Sequence, residues 1–108
     1  MSDLLAKVQQ FIGDGRLRVS AHGFEELESD GISLSELLDA SPKAEWVEEY
    51  QDYHKGPCVL VLVYLADGSA VHALWGIAKS SPDEVTLITA YRPDPKRWTG
   101  DFLRRKPR

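Results

Sequence analysis

Apolar positions recur at helical spacing at the start of the chain, where Leu4, Leu5, Val8, Phe11 and Ile12 make one stripe. That spacing predicts a helix over "SDLLAKVQQFIGDG", capped by Ser2 or Asp3 and ended at Gly13 or Gly15. In "RLRVS" the period shortens to two, with Leu17 and Val19 alternating against Arg16 and Arg18, which predicts a short strand. Ser20 then caps a second helix from Ala21 to about Ser29, with Ala21, Phe24 and Leu27 as its buried side. Asp30-Gly31 stops it. Ser33 and Glu36 form a capping box for a third helix whose Leu34, Leu37 and Leu38 face inward and which Pro42 ends.

Beyond Pro42 the pattern is that of strands. "AEWVEEYQDY" reads as one, carrying Trp46, Val47 and Tyr50. "CVLVLVYLA" is almost wholly apolar, the mark of a central strand covered on both faces. Asp67-Gly68 makes a hairpin turn into "SAVHALWGIA". After "KSSPDE" comes "VTLITAY", with Val85, Leu87 and Thr89 on one face. "RPDPKRW" breaks regular structure, and the residues after it read as a disordered tail. Helix, strand, two helices and four consecutive strands imply an α+β fold. Its N-terminal helices pack on one face of an antiparallel sheet of four to five strands.

The length of 108 residues fits a single domain, 1–108, with a core over 3–98 and a basic C-terminal tail over 99–108. A lone cysteine, Cys58, excludes an internal disulfide and a multi-cysteine zinc site. The opening residues lack the apolar core of a signal peptide, and no run is long enough to span a bilayer. A cytoplasmic protein without membrane contact is expected. The net charge of −4 weighs against indiscriminate nucleic-acid binding, yet it is unevenly spread. From Arg92 onward Lys96, Arg97, Arg104, Arg105, Lys106 and Arg108 join Arg92, opposed by Asp94 and Asp101 alone. A basic end on an acidic body suits either an anionic partner or a merely solvated tail.

No phosphate loop, dinucleotide fingerprint, nucleophile elbow or paired-histidine zinc helix is present, so no cofactor and no metal are expected. His22 falls in the first turn of the second helix, where the helix dipole favours the neutral ring that a general base needs. Fixing the strand-to-helix corner would explain it equally well. His72 lies mid-strand in phase with Ala70 and Leu74, on what reads as an open, half-exposed sheet face. Tyr91 and Arg92 end the last strand on opposite faces. Arg92, Lys96 and Arg97 can grip phosphates, while Tyr91 and Trp98 can stack on the bases of single-stranded RNA. Alternatively, Trp98 clips the tail onto the core. His54 reads as a solvated turn residue, Cys58 as buried and inert.

"VSAHGFEELESDGIS", "VEEY", "GPCVLVL", "VHALWGIA" and "ITAYRPDPKRW", in this order, resemble a small bacterial family catalogued only as a domain of unknown function. The resemblance runs from Arg16 to about Phe102, and its members open with Ser-x-His-Ala, where this chain has Gly23 after His22. Such proteins are similar in layout to the ribonuclease toxins of toxin–antitoxin pairs. The resemblance implies an RNA-cleaving or ribosome-associated toxin, or an inactive relic of one, with an antitoxin-like protein partner. Ser20, His22, His72, Tyr91 and Arg92 match the family's polar positions.

Two readings follow. In the first the chain is a metal-independent endoribonuclease: His22 and His72 exchange protons, Arg92 steadies the developing charge, and Tyr91 holds a base or donates a proton. In the second it is a non-catalytic module whose sheet edge, "AEWVEEYQDY", pairs with a protein partner. The sequence sets neither the oligomeric state nor the substrate.

Overall fold

A computed structural model describes residues 2–107. Met1 and Arg108, the last of the C-terminal cations, lie outside the described residues. The elements come in the expected order: α1 (Asp3–Gly13), β1 (Leu17–Val19), α2 (Ala21–Ser29), α3 (Leu34–Ala40), then β2 (Glu45–Tyr50), β3 (Cys58–Tyr64), β4 (Ala70–Gly76) and β5 (Val85–Tyr91). A single 3-10 turn, Ser41–Lys43, joins α3 to β2. Serine begins each α-helix. The hydroxyls of Ser2, Ser20 and Ser33 accept from the backbone N–H of Leu5, Gly23 and Glu36, satisfying donors that helix geometry leaves free. Asp67-Gly68 does turn the β3–β4 hairpin, with Gly68 at φ +85°.

The sheet runs β1-β5-β4-β3-β2 and is antiparallel except at one end. There β1 lies parallel to β5, Leu17 opposite Val85 and Val19 opposite Leu87. An alternating pattern carries no strand direction, so the sequence alone could not set this pair apart from the rest. The chain is α+β, with three α-helices on a mostly antiparallel sheet.

The first face of the sheet holds the main core. Val59, Val61, Val63, Val71, Ala73, Trp75, Val85, Leu87 and Ala90 pack beneath Leu4, Val8, Leu27 and Leu37. Each of these valines and leucines contributes about 1.5–3 kcal/mol on leaving water. The second face carries a smaller cluster of Val47, Leu60, Leu62 and Trp98, with Tyr91, Phe102 and Leu103 against it. β3 is sandwiched between the two, which is why its run is apolar throughout.

Three expectations are corrected. Ala21 is exposed and Phe24 is 53% exposed, and α2 turns Gly23 and Leu27 to the sheet instead. A Cβ at Gly23 would stand 2.8 Å from the carbonyl oxygen of Leu87, so the missing side chain lets the helix come down onto β5 at that point. The expected face of Val85, Leu87 and Thr89 is also broken. Register slips between Leu74 and Trp75 of β4, which pair with Thr89 and Leu87, so Ile88 is the extra residue. The bulge inverts the alternation: Ala90, not Thr89, joins the main core, and Tyr91 moves to the second face. Finally, the C-terminal residues are not a disordered tail. Trp98 bridges to Arg105, Thr99 N–H donates to the carbonyl of Arg104, and Lys106 N–H donates to that of Arg97. This small hairpin folds back over the second face as a cover, with Trp98 in its cluster.

Candidate functional site

His72 and Tyr91 face each other across β4 and β5, on the second face of the sheet. His72 was expected half-exposed; it is 0% exposed, because the cover lies on top of it. Its Nε2–H donates to the carbonyl of Phe102 at 2.8 Å. Nδ1 therefore carries no proton and accepts from the Tyr91 hydroxyl at 3.2 Å. The Trp98 ring stands edge-on to the imidazole, centroids 4.4 Å apart. Burial holds the imidazole below its ordinary titration range, so the ring is neutral. Burial likewise pushes the Tyr91 phenol up and keeps it protonated.

Trp98 is 4% exposed, so it clips the cover to the sheet and cannot stack on a base. Arg105 lies over its ring, 4.8 Å from the centroid, and forks onto Glu48 of β2 at 2.9 and 3.0 Å. That fork holds the Glu48 carboxyl below the usual carboxylate range. Tyr50 donates a further hydrogen bond to Glu48.

Arg92 leaves β5 on the opposite side from Tyr91, as alternation requires, and each of its three guanidinium nitrogens donates there. Its backbone N–H donates to the Asp30 carboxylate, its Nε–H to the Asp30 carbonyl, and its terminal nitrogens to Ser69 Oγ and the Gly31 carbonyl. It ties the end of α2 to the β3–β4 turn. The role of steadying phosphate charge, expected from the sequence, falls to a side chain already spent on structure.

A cleft of about 320 Å³ remains beside the cover, lined by Tyr91, Arg92, Asp94, Arg97, Trp98 and Arg105. Among the described residues Lys96, Arg97, Arg104 and Lys106 have no carboxylate within ion-pair distance. All four are exposed, and they share one ordered segment.

His22 belongs to another environment. Its side chain is 62% exposed on α2, 3.7 Å from the carboxylate of Glu26 one turn on. Ser20, besides capping α2, donates its hydroxyl proton to the Ile88 carbonyl and pins the helix start to β5. The structure thus brings together His72, Tyr91 and Trp98, sets Arg97 beside them, and gives His22 and Arg92 separate partners. Sequence reasoning missed Arg105, Glu48 and Phe102, all of which build the site. Arg105 was hidden in a basic run that reads as solvated. The signal for Glu48 was the carboxylate pair in "VEEY", which alternation assigns to opposite faces without saying what either meets.

The remainder of the second face is open. A groove of about 680 Å³ is floored by Cys58, Leu74 and Ile88 and walled by the end of β2 and its turn, including Glu49, Tyr50, Asp52 and Tyr53. Burial raises the Cys58 thiol, as suits an inert side chain. No group of three or more His, Cys, Asp or Glu among the described residues is arranged to hold a metal ion, and no helix among them is long and apolar enough to cross a membrane.

A family model described as "Domain of unknown function (DUF4258)" matches residues 19–92, from β1 to the Arg92 anchor. No curated protein and no solved structure matches the chain.

Proposed function

The chain belongs to this DUF4258 family of domains of unknown function, and on that premise we propose that it binds single-stranded RNA along its C-terminal cover. One observation carries the reading: Lys96, Arg97, Arg104 and Lys106 stand exposed, with no carboxylate partner among the described residues, on a segment that Trp98 and Arg105 hold in place. A cationic strip that is already ordered loses little entropy on meeting a phosphate backbone. The rest of the chain is acidic, which repels RNA elsewhere and confines contact to this strip. Tyr91 and Arg97 line the adjoining cleft, where a splayed base has one aromatic edge and one guanidinium to meet.

A second reading, cleavage of the bound strand, is favoured by Tyr91 and Arg97 lining one cleft. It does not need the two histidines to share a proton path: His72 is sealed beneath the cover, and His22 stands with Glu26. In this form the 2′ hydroxyl attacks phosphorus and loses its proton to water, Tyr91 turns its hydroxyl from His72 to protonate the departing 5′ oxygen, and Arg97 meets the charge that builds on the phosphoryl oxygens.

The test uses the full chain and a fluorescein-labelled single-stranded RNA of mixed sequence, read by anisotropy over a salt series. Binding should weaken with salt, with a log–log slope of about −0.7 for each phosphate contacted. Replacing Lys96, Arg97, Arg104 and Lys106 together by glutamate should abolish it. RNA that stays free at low salt, or binding indifferent to those four residues, overturns the proposal. The same mixtures on a denaturing gel decide the second reading: it requires cleavage that Tyr91→Phe removes while binding persists.

A further inference from the structure

The cover occupies only half of the sheet's second face, and the covered half shows what chemistry that face accepts. Trp98, Phe102 and Leu103 set apolar surface against Leu60, Leu62 and Leu74, while Arg105 reaches over the rim to the carboxylate of Glu48. The open half continues both features. Leu74 belongs also to the floor of the groove, followed by Cys58 and Ile88. Past Glu48 the rim continues with Asp52, which forms no ion pair among the described residues, and from Ala44 to Tyr53 the chain has no lysine or arginine; Glu49, opposite Val59, turns its carboxylate to Ser2, Trp46 and Gln51 instead. Exposed Tyr50 and Tyr53 stand in the same wall, the residue type most often found where a partner anchors. β2 pairs only with β3 among the described residues, so this wall is also the free edge of the sheet.

We propose that this groove is a docking site for a cationic, amphipathic segment of a protein partner. Its apolar side chains would lie on Cys58, Leu74 and Ile88, and an arginine or lysine would pair with Asp52. The occupant is specified by the chain's own precedent: the cover solves the same packing and charge problem one step along the same face. An acidic segment would meet a like charge at Asp52, and a wholly apolar one would leave that carboxylate unanswered. The site is separate from the RNA-binding strip, and the charge it selects is opposite.

The experiment titrates the isotopically labelled full chain with a synthetic peptide alternating leucine or tryptophan with arginine, read as backbone amide shifts. A second peptide has glutamate in place of arginine. The basic peptide should shift Tyr50, Tyr53, Cys58, Leu74 and Ile88, and the acidic one should not. Asp52→Lys, at the surface, should weaken the basic peptide severalfold or more while RNA binding at the cover is unchanged. Shifts confined to the cover, equal binding of both peptides, or indifference to the rim substitution would overturn the proposal. An Ile88→Glu variant, tested separately, should block the floor without touching the rim. Because RNA is measured in the same preparations, loss of peptide docking and loss of RNA binding are read independently.

Discussion

His72 donates its Nε2–H to the carbonyl of Phe102, thirty residues along the chain, and Phe102 holds a left-handed backbone at φ 60° to receive it. That conformation costs a bulky L-residue on the order of 1–2 kcal/mol. It persists because the hydrogen bond to a buried donor and the packing of the cover over-determine it. The same bond fixes the tautomer of His72, and through the tautomer the direction of the Tyr91 hydroxyl. A contact between strand and cover therefore sets the polarity of the cleft.

The neutral state of His72 makes stability depend on pH. Burial lowers its affinity for a proton in the folded chain below the ordinary value of 6.5. Between the two values the unfolded chain binds a proton that the folded chain refuses, so stability rises with pH there and falls as pH drops below about 6.5. The slope approaches 1.4 kcal/mol per pH unit for one proton. Urea midpoints measured from pH 7.5 down to pH 5 should decline, and His72→Gln should flatten that decline. A midpoint equally steep in the variant would assign the effect to other groups.

Gly23→Ala tests how closely α2 sits on β5. The added methyl would meet the Leu87 carbonyl oxygen at 2.8 Å, so helix or strand must shift. Alanine regains about 1 kcal/mol of helix propensity, but overpacking against backbone typically costs 1–3 kcal/mol. Net destabilisation is expected. At Gly13, where a Cβ meets nothing within 4 Å, the same substitution should stabilise. Thermal melts of the two variants should move in opposite directions.

What the sequence made legible was whatever depends on neighbours along the chain. The serine caps, the Leu4–Val8 stripe, the doubly buried β3 run and the Asp67-Gly68 turn are each decided within a few residues. What it hid depends on contacts made across the fold. Phe24 fits the buried phase of α2, but the side chain absent at Gly23 rotates the helix. The extra residue in β5 sends Ala90 to the core and Tyr91 to the other face, an inversion no alternation pattern announces. His72 looked open because the segment that buries it reads as solvated tail. Of the expected site, Tyr91, Arg92 and Arg97 line a common cleft, though the Arg92 guanidinium is bonded to Asp30, Gly31 and Ser69, while His22 stands apart with Glu26.

The Arg105–Glu48 fork is partly exposed, with side-chain accessibilities of 62% and 28%, so solvent screens it. A double-mutant cycle with Arg105→Ala and Glu48→Gln should give a coupling of about 0.5–1 kcal/mol. Arg105→Ala alone should cost more than Glu48→Gln, because it also strips the guanidinium from the Trp98 ring. Equal single-variant losses in urea denaturation would show that the stacking contributes nothing.

Arg92 separates a structural arginine from a phosphate-binding one. Its guanidinium donates in three directions at once, to Asp30, Gly31 and Ser69. Lysine keeps the charge but has no planar fork and cannot reproduce that set. Arg92→Lys should therefore lower stability by about 1 kcal/mol, which is about 4–8 °C in melting temperature for a domain of this size. RNA affinity of the folded variant should stay within twofold of the original, since the strip of Lys96, Arg97, Arg104 and Lys106 is intact and the net charge is the same. If Arg92 instead gripped phosphate, the lysine variant would keep its melting temperature and lose RNA affinity. Melting and anisotropy on one preparation thus decide whether the arginine that closes the family's shared region serves the fold or the ligand.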